Sequence, residues 1–468
     1  MPSIRIKGGL SRLAGVISIP PSKSHLIRIL FASLLLGNRG PRIREEFSNI
    51  LVAEGFEDMT SCSEDVRAAW DLVNQLGDPS SSGSGSMNTS SGLIYQTEID
   101  CAESGLVLRL ATPLMATLGR PVNILVRGTL ASRSQNPFED IFNQLDVDFT
   151  YLGKAGYPPF RVCGLASPPH LVPKNIDVEG RTGSQYLSGL LMCYAFLRAS
   201  GVFIRARDLR SRPYVDLTLD VLRDFGVRVT EPERDVFGFH GDNPVSPSVL
   251  QVQADWSGAA CFLVAAALCG EISLRGIDLG DLVDVRDAES QDKVHVPRWS
   301  REPDGKIVEF LREAGTDILP HPIYPRSILV KKAMAPRAFD ISIRDCPDLF
   351  PCLAAWGSFI SGETSKIRDV EGLRHKETDR LKTVLDTLGR LGIKCWTEGN
   401  CFYVEGKDYI EGGISLRTYS DHRLVMLGAL VSLRARRDII LEGVDCVRKS
   451  FPSFFSCFKD LGLRFCDE

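Results

Sequence analysis

The sequence predicts an α/β protein of two domains, each made of three repeated helix–strand units. Three observations predict it. The chain has 468 residues, too many for one hydrophobic core and enough for about two or three domains. A helical stretch ending in an apolar–Gly–apolar step recurs six times: "WDLVNQLG" to Gly77, "EDIFNQLDVDF" at Asp146, "DVLRDFGVRV" at Gly226, "VEFLREAGTDI" at Gly315, "LDTLGRLGIKC" at Gly392 and "FFSCFKDLGLRF" at Gly462. These endings lie roughly 70 to 90 residues apart, too long for a solenoid repeat and suited to a small α/β unit.

Each copy has the same logic. Leucine or phenylalanine falls at helical spacing, a glycine (once Asp146) takes the left-handed C-cap, and a short alternating strand usually follows. The apolar run "AACFLVAAALC" from Ala259 is about half a membrane span and reads as a buried helix. Pro20 and Pro21 stop a strand after "IRIKGGLSRLAGVISI", and further prolines flank Val245. The expected domains are therefore 21–245 and 1–20 plus 246–468, with two chain crossings as a hinge. The Ser/Gly-rich stretch from Gly77 to Gly92 reads as a flexible hairpin loop, and the polar stretch from Asp287 as a connector.

Composition excludes several classes of function. The hydrophobic fraction of 44% and charged fraction of 24% are those of an ordinary globular protein. A net charge of −4 gives no global field to recruit nucleic acid or an anionic membrane, so anionic ligands must be held by local clusters. The 13 cysteines are scattered, lack paired zinc-type spacing and follow no apolar leader. Reduced thiols, no metal site and a cytoplasmic location are expected.

Polar groups gather where helices start. "PPSKSHLIR" places Lys23, Ser24, His25 and Arg28 just after the two prolines. In "AESGLVLR", Gly105 lets a ligand approach the backbone, and the helix start offers free N–H groups to an anion. A plain capped helix with a solvated Arg109 explains that stretch equally well. "GSQYLSGLLM" opens another apolar helix with Ser184 and Gln185, and "SRPYVDL" repeats the theme with Ser211 and Tyr214. "LRHKETDRL" is densest: Lys376 and Arg380 at i,i+4 are expected to share a helix face, with Glu377 beside them. Cations at a helix start oppose its dipole unless an anionic ligand offsets them. "SDHRLVM" adds Asp421, His422 and Arg423, "RKSFPSFF" adds Lys449, and "DCPDLFPC" adds Asp348. Several cations with two or three carboxylates suit the binding of two anionic substrates with proton transfer, and do not suit nucleophilic hydrolysis.

Taken in order, these stretches resemble the enolpyruvyl transferase family over nearly the whole chain, with "KETDRL" and "DHR" the most specific pair. The resemblance implies a two-domain inside-out α/β barrel of six units, with the active site in the cleft between domains. It implies transfer of the enolpyruvyl group of phosphoenolpyruvate to the 5-hydroxyl of shikimate 3-phosphate, without cofactor or metal, by a monomer. By the same resemblance Lys23, Ser24, Arg28, Ser184, Gln185, Ser211, Tyr214, Asp348 and Lys376 bind shikimate 3-phosphate. Lys23, Gly105, Arg133, Gln185, Arg380, Arg423 and Lys449 surround phosphoenolpyruvate. Lys23, Asp348 and Glu377 are the implied catalytic groups: Asp348 the base at the 5-hydroxyl, Glu377 the group handling the methylene proton. The sister branch that acts on a UDP-sugar uses a loop cysteine, and "RGTLASRSQNP" has none. Against the family pattern, Leu26 and Ile27 stand for Ser-Asn, Glu103 for Asn, Leu106 for Thr and Gly183 for Ser, and Arg133-Ser134-Gln135 for Arg-Pro-Met/Ile.

Overall fold

A computed structural model describes residues 2–9, 11–39, 42, 45, 48–49, 62–77, 97–118, 120–163, 175–248, 252–277, 279 and 302–468. The Ser/Gly-rich stretch beyond Gly77 and residues 287–301 of the polar stretch from Asp287 lie outside these. The chain forms two compact units: Met1–Ser22 with Gln253–Glu468, and Lys23–Val252.

Among the described residues there are five four-stranded sheets, three in the first unit and two in the second. All five have one topology, a parallel pair extended by two antiparallel neighbours. One repeat runs Thr97–Asp100, helix Gly105–Met115, Pro121–Leu125, helix Pro137–Gln144, Asp148–Tyr151 and Phe160–Cys163. The N-terminus completes two sheets of the first unit. Ser3–Ile6 lies between Ile439–Glu442 and Phe465–Asp467, and Leu13–Ser18 pairs in parallel with Gly270–Arg275. None of these sheets closes on itself, so the expected barrel is not a closed ring of strands.

The interior is helical instead. In the first unit, every residue of the helices Trp256–Cys269, Phe350–Gly357 and His422–Ser432 is buried. Ala, Leu, Val, Phe and Cys occur on all sides of the first of these, and a helix apolar all round belongs in a core. It contains the run read as a buried helix. In the second unit Lys23–Ser33, Gly105–Met115 and Ser184–Phe196 are buried along most of their length. The second helix of a repeat is amphipathic. Arg380–Arg390 buries Leu381, Val384 and Leu388 and exposes Lys382, Asp386 and Arg390.

Five of the six expected helix endings have the left-handed backbone: Asp146, Gly226, Gly315, Gly392 and Gly462. At Gly392 the N–H of Gly392 donates to Gly389 at 2.9 Å and that of Ile393 to Leu388 at 3.0 Å, satisfying carbonyls the helix leaves open. Gly462 with Leu463 and Gly226 with Val227 repeat this pair of bonds. The repeat is thus a repeated way of ending a helix and turning into a strand.

Candidate active site

The helix starts of each unit carry the polar residues, and hydrogen bonds tie those starts together. In the second unit Lys23 opens the helix Lys23–Ser33, and its Nζ lies 2.9 Å from Asp65. Arg28, one turn on, is fully buried. Its Nε donates to Thr218 Oγ1 at 2.8 Å, one Nη to the Ser24 carbonyl at 2.8 Å and the other to the Tyr214 carbonyl at 3.1 Å. Arg28 therefore clamps the start of Lys23–Ser33 to the helix Arg212–Asp224. That second helix begins at Ser211, whose φ of 53° is left-handed. His25 is buried, and burial with the charge of Arg28 lowers its pKa to about 3, so its ring is neutral near neutral pH.

Gly105 begins its helix behind the Ser104 cap. A Cβ there would lie 2.9 Å from Arg109 Nη1 and 3.4 Å from Arg133 Nη1, so two guanidinium groups meet over this bare helix start. Arg109 also donates to Gln185 Oε1 at 2.7 Å and sits 4.9 Å from the Tyr186 ring centroid. Gln185 follows Ser184 at the start of Ser184–Phe196, and nothing stands within 4 Å of a Cβ placed at the preceding Gly183. Lys23, Gly105, Arg109, Arg133, Ser184 and Gln185 thus present donors at starts of buried helices, a setting suited to anions.

In the first unit, three carboxylates surround one guanidinium. Arg380 is 1% exposed and donates to Asp348 at 2.7 Å, Glu377 at 2.6 Å and Asp421 at 3.0 and 3.2 Å. Lys376 lies 3.2 Å from Asp348 and Lys449 4.0 Å from Glu377. Lys376 and Arg380 do not share a helix face as expected. The helix starts only at Arg380, because Asp379 caps it by accepting from Lys382 N at 3.1 Å, and Lys376 lies before it in extended backbone. The two cations meet through Asp348. Asp421 caps the helix His422–Ser432 through Arg423 N at 2.9 Å. Arg423 is buried, with one Nη donating to the Ser257 carbonyl at 2.8 Å and the other to the Ser257 hydroxyl.

Charge decides the protonation states. Burial alone would raise the Asp348 carboxyl, but Lys376, Arg380 and Arg423 outweigh it and hold it well below the usual carboxylate range. Burial disfavours the Arg380 charge, yet Asp421, Glu377 and Asp348 raise its pKa, so it stays charged. Asp304 behaves oppositely: burial, then the charge of Asp348, pushes its carboxyl up to about 6. Arg109 joins the site from four residues beyond Gly105, and that spacing is its signal in the sequence. Asp421 shows in the sequence as part of a helix start, and Asp65 and Asp304 carry no signal there.

Helix-cored repeats with cations and carboxylates gathered at their helix starts agree with the resemblance to the enolpyruvyl transferase family. The family model for EPSP synthase (3-phosphoshikimate 1-carboxyvinyltransferase) matches residues 7–458, and the chain belongs to that family. The chain is 28% identical over 457 residues to the 3-phosphoshikimate 1-carboxyvinyltransferase of Clostridium kluyveri, covering 97% of this chain and 96% of that one. It is 29% identical over 455 residues to that of Clostridioides difficile, with 97% and 96% covered. Among solved structures, an EPSP synthase from Acinetobacter baumannii matches over the whole of both chains, with TM-score 0.69 and 19% identity. The enolpyruvyl transferase NikO from Streptomyces tendae matches 100% of this chain and 98% of its own, with TM-score 0.66 and 14% identity. These two likenesses concern the fold.

Proposed function

We propose that the chain transfers the enolpyruvyl group from phosphoenolpyruvate to the 5-hydroxyl of shikimate 3-phosphate and releases phosphate, a step of aromatic amino acid biosynthesis. The observation that carries the mechanism is the Asp348–Arg380–Glu377 arrangement, two carboxylates held apart on one buried guanidinium. The reaction adds an alcohol across the double bond of an enol phosphate. A proton reaches the methylene carbon, the 5-oxygen bonds to the neighbouring carbon, and the hydroxyl proton leaves. Loss of that carbon proton and of phosphate from the tetrahedral adduct regenerates the double bond. The enzyme therefore needs one group on the carbon and another on the oxygen.

In this reading Glu377 serves the carbon, and Asp348, with Lys376 beside it, serves the 5-oxygen. Paired with Lys376 and Arg380, Asp348 is a weak base. Substrate anions that draw Lys376 towards themselves raise the basicity of Asp348 as they bind. Lys23, Ser24, Arg28, Ser184, Gln185, Ser211 and Tyr214 serve the phosphorylated ring, Arg28 by fixing Ser24 and Tyr214. Gly105, Arg133, Gln185, Arg380, Arg423, Lys449 and Lys23 serve phosphoenolpyruvate, whose departing phosphate the cations stabilise. A cytoplasmic monomer completes the proposal. No described helix is long and apolar enough to cross a membrane.

Phosphate release from phosphoenolpyruvate, measured with and without shikimate 3-phosphate, tests the reaction. Release dependent on shikimate 3-phosphate is expected. Its absence, alongside calorimetric binding of phosphoenolpyruvate, would sink the assignment. Asp348→Ala is expected to retain ligand binding and lose turnover, and full activity in that variant would remove Asp348 from the mechanism.

A further inference from the structure

We propose that Glu103 is a positioning residue: through Thr129 it sets the guanidinium of Arg133 over the start of the helix Gly105–Met115. The inference rests on reading Arg133 as a ligand of phosphoenolpyruvate. Glu103 sits in the turn between the strand Thr97–Asp100 and that helix, and its carboxylate meets the loop after Pro121–Leu125. Glu103 Oε1 accepts from Thr129 N at 3.0 Å and from the Thr129 hydroxyl at 2.5 Å. The same hydroxyl accepts from Arg133 Nη2 at 3.4 Å, and Arg133 Nη1 is the atom 3.4 Å from the Cβ position of Gly105. Three residues thus link the turn before the helix to the cation above its first residue.

The chemistry of the pair gives the chain a direction. A carboxylate only accepts, so Glu103 fixes the Thr129 hydroxyl as a donor towards itself and leaves its lone pairs for Arg133. An amide in its place could donate, turn the hydroxyl round and remove the acceptor. The loop is shaped for a carboxylate as well. Gly128 has φ of 55°, and a Cβ there would lie 2.3 Å from Glu103 Oε2, so the carboxylate rests directly against a residue without a side chain. Arg127 N donates to the Ala102 carbonyl at 2.7 Å, and Arg127 pairs with Asp100, fastening the loop to the same turn. Between Thr129 and Arg133, the fully buried Leu130 anchors the short helical turn Gly128–Ser132, with Arg133 N donating to its carbonyl at 3.1 Å. A negative side chain beside an anion site is thereby used to aim a cation. It also explains why a glutamate is tolerated two residues before Gly105.

Steady-state phosphate release by Glu103→Ala, Glu103→Gln, Thr129→Val and Thr129→Ser enzymes tests the chain. Glu103→Ala and Thr129→Val are each expected to raise KM for phosphoenolpyruvate by about tenfold, the scale of one hydrogen bond to a charged group. Glu103→Gln should follow them, while KM for shikimate 3-phosphate and the melting temperature stay put. Thr129→Ser keeps the hydroxyl and should hold KM for phosphoenolpyruvate within about twofold of wild type. The double variant Glu103→Ala/Thr129→Val should be no worse than either single one, since both break the same chain. Unchanged KM for phosphoenolpyruvate in both single variants of an active enzyme overturns the proposal. So do additive effects, or equal rises in both KM values. A wild-type protein that releases no phosphate refutes the reaction instead. Calorimetry of phosphoenolpyruvate binding to the same variants then decides the role of Glu103, equal affinities counting against it.

Discussion

Removing the Asp421 carboxylate should unfasten the centre of the first unit. Asp421 is fully buried and accepts four hydrogen bonds: from Arg380 Nε at 3.0 Å and Nη2 at 3.2 Å, Thr378 Oγ1 at 3.2 Å and Arg423 N at 2.9 Å. Truncating one partner of a buried ion pair strands the other charge and costs about 3–5 kcal/mol. Asp348 and Glu377 still hold Arg380 in Asp421→Ala, which puts the loss at the low end, about 3 kcal/mol. For a unit of this size that is a fall of about 6–12 °C in melting temperature. Asp421→Asn keeps an oxygen for the Arg423 cap and loses only the charge on Arg380, so about half of that fall is expected. Calorimetric scans of the wild type and both variants at pH 7.5 give the order directly. Phosphate release should drop with stability, because Arg380 would turn towards its remaining carboxylates. An Asp421→Ala protein that melts with the wild type, or one less affected than Asp421→Asn, would refute the view that Asp421 anchors Arg380.

Two further outcomes follow from single positions. Gly105→Ala places a methyl 2.9 Å from Arg109 Nη1 and should raise KM for phosphoenolpyruvate by about tenfold with little change for shikimate 3-phosphate; unchanged steady-state constants would contradict the close approach. Asp304 carries a pH signature. Its carboxyl is raised to about 6 by burial and by Asp348 and Asp255, with Arg423 and the Ser257 hydroxyl opposing. A raised acid contributes stability below its unfolded pKa that is lost as pH climbs through the folded value. Asp304→Asn removes that loss, so its stability relative to wild type should rise by about 1 kcal/mol between pH 5 and pH 7.5. Denaturant unfolding curves that keep a constant gap across this range would show that Asp304 does not titrate there.

What the sequence displays, and what it hides, follows from how far apart interacting residues lie. A helix ending is written within a few residues, which is why Gly226, Gly315, Gly392 and Gly462 could be read as left-handed caps before any sheet was known. Helix starts are equally local: Gly105 and Arg109, or Asp421 and Arg423, lie within one turn of each other. Which strands share a sheet was not legible, because strands at one terminus complete sheets formed near the other, as Ser3–Ile6 does beside Ile439–Glu442. Nor were the partners of the buried cations. Arg28 reaches Thr218 across 190 residues, and Arg423 reaches Ser257 across 166. Spacing alone misled at Lys376 and Arg380, where an i,i+4 interval suggested a shared helix face but the Asp379 cap begins the helix later.

The late helix start at Arg380 shapes the charged centre. Had Lys376 and Arg380 stood on one helix, their charges would have been fixed side by side against the helix dipole. Placed before the helix start, Lys376 reaches Asp348 from extended backbone while Arg380 reaches it from the first helical residue. The rigid partner is the buried one: Arg380 is 1% exposed and has three carboxylates, whereas Lys376 and Asp348 are both partly exposed. An incoming anion competes more readily for Lys376 than for Arg380, since the lysine has less to lose on moving and its charge is already partly solvated. Binding can then raise the basicity of Asp348 through Lys376 while Arg380 keeps both carboxylates in place. In the proposed mechanism, a carboxylate whose proton affinity depends on whether substrate is present acts as a base only on the bound substrate.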